Sequence, residues 1–128
     1  MIPMQAGCSC SCGVSKGPRA IFSCSGSADV GELADRTARK LTERGKGKMF
    51  CLAGIGGKVS GIVKSTEAAI SILAIDGCAL DCARKTLQEA GFKRVNHIRL
   101  SDMGFDKGKT AVNEASISQV MHKAEIYL

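Results

Sequence analysis

Seven cysteines are spread through 128 residues, and four of them, Cys24, Cys51, Cys78 and Cys82, fall at or near the ends of short apolar runs. Four thiolates gathered at one point suit a tetrahedral soft-metal shell, zinc first, because Zn–S bonds of about 2.3 Å close a four-coordinate site without further ligands. The same set also suits an iron–sulfur cluster. A single activated thiol, Cys24 or Cys78, would instead act as a nucleophile cycling through persulfide or disulfide states. Taken singly, Cys24 and Cys51 read as small buried hydrophobes inside strands; taken together, the four favour a metal. An odd number of cysteines excludes complete internal pairing. The first 13 residues lack the basic start and apolar run of a secretory signal, so the expectation is a cytoplasmic protein whose cysteines are thiols or metal ligands.

Whether the four meet depends on the elements that carry them. Apolar runs at 20–24, 49–53 and 72–75, with a more mixed run at 95–100, read as four strands, the third covered on both faces and the fourth at an edge. Val30, Ala34, Thr37, Ala38 and Leu41 recur at helical spacing, with Ser27 as the expected N-cap and Gly45 as the stop. A glycine-rich turn at 54–57, a short helix over 58–67, a third helix over 79–90 with Asp81 in its first turn, and a last helix over 113–125 complete the chain. Regular alternation of strand and helix predicts an α/β fold in three layers (α/β/α), a doubly wound parallel sheet of four strands in the order 2-1-3-4. Ligands in such folds bind beyond the carboxyl ends of the strands, where the winding reverses. Cys24 ends the first strand, Cys51 lies late in the second, two residues before its end, and Cys78 follows the third. Cys82, four residues on, is expected to share a face of the third helix with Cys78. All four are thus placed at one pole, with Cys51 fitting least well.

These stretches also carry a resemblance. Cys24-Ser-Gly-Ser-Ala-Asp-Val-Gly, Cys51-Leu-Ala-Gly-Ile-Gly-Gly and Ile75-Asp-Gly-Cys-Ala-Leu-Asp-Cys-Ala-Arg-Lys resemble the DGC-domain family, named for the motif matched by Asp76-Gly77-Cys78. The resemblance runs from about residue 20 to 109. It implies zinc as the cofactor and Cys24, Cys51, Cys78 and Cys82 as its ligands, in a family described by metal binding rather than by an established reaction. Ser/Gly/Cys-rich composition sets off a flexible cysteine-rich leader, 1–18, from the single α/β domain expected over 19–128.

Around the four thiols, the N–H groups of Ser25, Gly26 and Gly77 are placed to donate to sulfur, and the N-termini of the first and third helices to stabilise thiolates. Asp76 reads as a helix-capping carboxylate ahead of a proton acceptor, and Ser25 and Ser27 as helix caps. Lys107 and Arg84 could offset the charge of a thiolate site, although solvated surface is their default. His97, on the edge strand, and His122, on the last helix, are expected to lie far from the cysteines. Cys8, Cys10 and Cys12 in the leader either capture a soft metal themselves or form a plain tail, two readings of equal weight.

Other chemistries lack their residues. A phosphatase-type cysteine loop after the first strand needs an arginine six positions after Cys24, where this chain has Val30. No two cysteines have Cys-x-x-Cys spacing, and the glycines at 54, 56 and 57 do not complete a dinucleotide or Walker motif. The formal charge of +6 is concentrated in Arg36, Arg39, Lys40, Arg44, Lys46 and Lys48. These residues read as a solvated helix end opposite the cysteine pole, which argues against a nucleic-acid partner. The sequence predicts no membrane span. It leaves homo-oligomer formation, a small-molecule partner and any enzymatic reaction open.

Overall fold

The computed structural model describes residues 17–128. Four parallel strands, β1 (Arg19–Ser23), β2 (Lys48–Met49), β3 (Ser71–Asp76) and β4 (Asn96–Arg99), form one sheet in the order β2-β1-β3-β4. The doubly wound α/β arrangement follows from where the apolar side chains go. Strand side chains alternate between faces. Ile21, Leu73, Ile75 and Ile98 pack on one face with α1 (Asp29–Glu43) and α5 (Glu114–Ala124). Ala20, Phe22, Ile72 and Ala74 pack on the other with Ile55 of α2 (Leu52–Gly56) and Ala83 and Leu87 of α4 (Cys82–Glu89). The intervening α3 (Ser60–Glu67) lies on this second face and buries little of itself, Thr66 alone being fully covered.

Helix boundaries follow local chemistry. Gly45 (φ 70°) and Gly91 (φ 98°) end α1 and α4 in the left-handed region. Each helix closes with the paired bonds of a Schellman motif: Gly45 N–H to Thr42 and Lys46 N–H to Leu41 after α1, Gly91 N–H to Gln88 and Phe92 N–H to Leu87 after α4. Helix α5 opens on a capping box in which Asn113 and Ser116 satisfy each other's backbone N–H. The expected cap of α1 is different. Its N-cap is Ala28, not Ser27, and no side chain caps it; Asp29, at the first helical position, supplies the negative charge that the helix N-terminus favours.

Two elements depart from expectation near the cysteines. The second strand ends at Met49, and the apolar stretch after it turns into α2, with Cys51 as its N-cap. Met49 through Ala53 is apolar throughout, so period alone does not separate a buried strand from a strand running into a helix; Ile55, 1% exposed, is what draws the chain down onto the sheet. The glycines at 54 and 56 therefore lie inside a helix rather than in an open turn. The third long helix begins at Cys82 rather than near 79, because Asp81 adopts a left-handed conformation (φ 54°, ψ 44°) that no helix continues through. None of the helices among the described residues is long and apolar enough to cross a membrane.

Candidate metal centre

Parallel strands that end together bring the residues following them together. Cys24 immediately follows β1, Cys51 follows β2 by one residue, Cys78 follows β3 by one residue, and Cys82 opens α4. All four are free thiols at the carboxyl pole of the sheet, Cys24 and Cys78 partly buried and Cys51 and Cys82 exposed. Cys51 is thus beyond its strand rather than within it. Cys78 does not share a helical face with Cys82; it lies in a turn closed by the bond from Asp81 N–H to Cys78 O (3.2 Å), one step before the helix.

Cys24 is the most embedded in backbone chemistry. Its N–H extends the β1–β3 ladder to Ile75 O (3.2 Å), which fixes where its side chain starts. Its Sγ accepts the N–H of Gly77 at 3.3 Å. Burial pushes the Cys24 thiol up, and the Gly77 N–H opposes this, while the charge of Asp76 adds to the rise and the amides of Gly26 and Ser25 offset it. Burial thus disfavours the Cys24 thiolate, and three backbone amides, Gly77 first, partly offset that. Gly77 reaches it only because the turn after β3 passes hard against α1: a Cβ on Gly77 would lie 2.7 Å from Val30 Cγ2 and 2.9 Å from the Val30 carbonyl carbon.

Cys24 and Cys51 open into one cleft of about 900 Å³, floored by Met49, Phe50 and Leu52 and walled by residues of α1. Thr86, one turn beyond Cys82 on α4, lines its far side. Ser25, at φ 51°, does not cap α1; its hydroxyl hydrogen-bonds Ser23 and donates to Asp35 Oδ1 at 2.8 Å, and Asp35 in turn receives Arg39 Nε at 2.6 Å. Arg39 therefore borders the cysteine cleft instead of lying at the opposite end. Elsewhere the basic cluster is drawn into ion pairs, Arg36 with Glu32, Lys40 with Glu114 and Lys46 with Glu125, as a solvated helix end requires. Lys107 is exposed in the loop whose Gly108 and Thr110 amides bind Asp29. Cys8, Cys10 and Cys12 lie outside the described residues.

The largest departure concerns His97. Although it is on the edge strand β4, it is not remote: its Nε2 lies 2.9 Å from Asp76 Oδ2, in the motif that precedes Cys78. A carboxylate only accepts, so Nε2 carries the proton. His122, by contrast, is exposed on α5 beside Lys40 and Arg44, away from the cysteines. Asp76 does cap α4, its two oxygens accepting the N–H groups of Ala83 (2.7 Å) and Arg84 (3.1 Å). Asp81, 3% exposed, receives Arg99 through a fork, Nε to Oδ1 at 2.9 Å and Nη2 to Oδ2 at 2.6 Å, and Arg84 Nη2 at 3.0 Å. These partners, the Arg99 hydrogen bonds first, hold the Asp81 carboxyl below its ordinary range and raise the Arg99 guanidinium above its own.

Asp76, Asp81 and His97 are the one group among the described residues whose three potential ligand atoms lie within 4.8 Å of one another; no three cysteine sulfurs do. Yet that trio is poorly suited to a cation. The oxygens of both carboxylates are already engaged by two arginines, two backbone amides and the histidine, so a metal would have to displace them and meet two guanidinium charges. Four soft thiols without a carboxylate among them are the better donor set for zinc. A zinc–thiolate tetrahedron needs sulfurs about 3.8 Å apart. Of the four, Cys51 and Cys82 have the exposed side chains.

The family model described as the DGC domain matches residues 20–124. A relative in Pseudomonas aeruginosa, the anaerobic and virulence modulator AnvM, is 34% identical over 87 residues, covering 68% of this chain and 66% of the relative, just under two thirds of that protein's length. No solved structure matches.

Proposed function

Because this chain belongs to the DGC-domain family, we propose that it is a metal-binding protein that holds one zinc ion through Cys24, Cys51, Cys78 and Cys82, in a single domain spanning 19–128 and in the reducing cytoplasm. The observation that carries this reading is the arrival of four free thiols, following three successive strands, at one pole, with the partly buried Cys24 sulfur already accepting a backbone N–H. Amide donation to a thiolate disperses its charge and orients its lone pairs, as is common around structural and transport metals. Zinc would supply a fixed tetrahedral centre; Cys24 would anchor it, Cys78 would hold it beside the Asp76-Gly77 turn, and Cys51 and Cys82, at the surface, would be the ligands that exchange. The cleft in front of Cys24 and Cys51 gives a metal or a small ligand a way in.

Anaerobic purification followed by elemental analysis and an absorption spectrum tests the proposal. About one zinc per chain in a colourless protein, lost in Cys78→Ser and Cys82→Ser, is the expected result. Broad visible absorption with iron and labile sulfide would replace zinc with a cluster, and metal-free protein with one hyper-reactive thiol would move the function to thiol chemistry.

A further inference from the structure

Cys78 and Cys82 are separated by a turn that the backbone does not favour. Asp81, the residue immediately before Cys82, sits at φ 54°, a conformation that costs an L-residue energy and persists only where the surroundings enforce it. The enforcing contacts come chiefly from β4, with Arg84 of α4 adding one bond to Asp81 at 3.0 Å. Successive strand residues point to opposite faces, so His97 and Arg99 both face α4 while Ile98 faces the other core. Strand register sets Arg99 opposite Asp76, at the start of the same turn. From there its guanidinium reaches Asp81 with two parallel N–H···O bonds, at 2.9 and 2.6 Å, the one contact that fixes both the position and the plane of a buried carboxylate. His97 holds Asp76 at the other end of the turn, and Asp76 holds the first amides of α4. The two cysteines are therefore framed on both sides by side chains of a strand that carries no cysteine.

We propose that Arg99, seconded by His97, is a positioning residue for the cysteine centre: its fork on Asp81 maintains the left-handed turn that sets the separation and direction of the Cys78 and Cys82 thiols. This rests on the metal-binding reading for its consequence, though not for its geometry. Lysine would conserve the charge but not the fork, so Arg99→Lys is not a conservative change at this position. Glycine at 81 would adopt the turn without enforcement and would remove the buried carboxylate, so Asp81→Gly makes Arg99 dispensable.

The test compares wild type, Arg99→Ala, Arg99→Lys and the double variant Arg99→Ala with Asp81→Gly. Zinc affinity is read by competition with a chelator, ligand geometry from the absorption bands of the cobalt(II)-loaded protein, and amide exchange over 77–84 is read in metal-free protein. Arg99→Ala and Arg99→Lys are each expected to weaken zinc roughly 10- to 100-fold, the range found when partners that orient metal ligands are removed. They should also alter the cobalt bands and speed exchange over 77–84. The double variant is expected to regain most of the affinity and the wild-type bands, which restored packing alone would not bring about. Unchanged exchange in both single variants would overturn the proposal, as would a double variant that folds but binds no better than Arg99→Ala. If Arg99→Ala does not fold, Arg99→Lys decides by the same readings. A wild type that takes up no zinc or cobalt sinks the metal reading, whereas exchange over 77–84 still decides whether Arg99 holds the turn.

Discussion

Gly77 is the position where one added carbon should disturb both the fold and the cysteine centre. Its φ is not in the left-handed region, so alanine meets no conformational penalty there, and any effect must come from space. The space is absent: the new Cβ would stand 2.7 Å from Val30 Cγ2, 2.9 Å from Val30 Cβ and 2.9 Å from the Val30 carbonyl carbon, where ordinary contacts begin near 3.4 Å. Rotating the Val30 side chain relieves the first of these but not the last, which is backbone. The turn and the first turn of α1 must therefore part by about half an ångström or more, and overpacking of this kind typically costs about 1–3 kcal/mol. For a domain of this size that corresponds to a fall in Tm of about 4–12 °C. The same displacement lengthens the 3.3 Å bond from Gly77 N–H to Cys24 Sγ, so zinc affinity should fall by about tenfold even after correction for stability. The assay is thermal and urea unfolding of the metal-free protein together with zinc competition. Gly26→Ala serves as the control, since a Cβ there meets nothing within 4 Å. A Gly77→Ala protein that melts with wild type, or a Gly26→Ala protein equally impaired, would refute the reasoning.

Other outcomes follow from the same geometry. The N–H groups of Gly108 and Thr110 donate to the two Asp29 oxygens at 2.9 Å each and hold that carboxyl below its ordinary value of 3.8. A depressed folded pKa means that the stabilisation is complete above the unfolded value and is lost as pH falls from there through the lower, folded one. Asp29→Asn should flatten the dependence of stability on pH below about 4 and speed amide exchange at Gly108 and Thr110; an unaltered acid limb would count against this latch. Leu33→Ala, which empties a fully buried position between α1 and the sheet, should cost about 2–5 kcal/mol in urea unfolding with the slope unchanged. A loss under about 1 kcal/mol would mean that the core closes over the space.

Much of this architecture was legible in the sequence because it depends on local periodicity. The unbroken apolar run at 72–75 placed a central strand, and helical spacing from Val30 to Leu41 placed a crossover; strand order then followed from handedness and compactness. Three of the four cysteines follow a strand end and Cys82 opens the helix after the third, so their placement at one pole depends on the same periodicity. Cys51 was set inside its strand because Met49 through Ala53 offers no polar break, and the point at which α2 begins depends on Ile55 packing on the sheet, a tertiary effect. Asp81 carries no local sign of its left-handed backbone, aspartate being ordinary in a first helical turn; its forked partner, Arg99, lies 18 residues later. The alternation of His97 and Arg99 about Ile98 is visible in the sequence and reads as an edge strand. Polar residues at alternate positions of an edge strand mean solvent only when nothing ionic lies over that face, and the identity of what lies there is set by α4.

The brevity of β2 bears on how this molecule meets others. A sheet with free edges invites another strand to pair with it, whether from a peptide or from a second copy. Here one border is two residues long, begins with a lysine and turns at once into a helix, and the other offers only the four residues Asn96–Arg99 before the chain coils into a 3-10 turn. Neither border presents the run of consecutive free amides and carbonyls that strand addition requires. Among the described residues, side chains on helices and loops are the surfaces left for association, and the thiol-bearing end, where Leu80 stands 60% exposed between Cys78 and Cys82, offers such side chains.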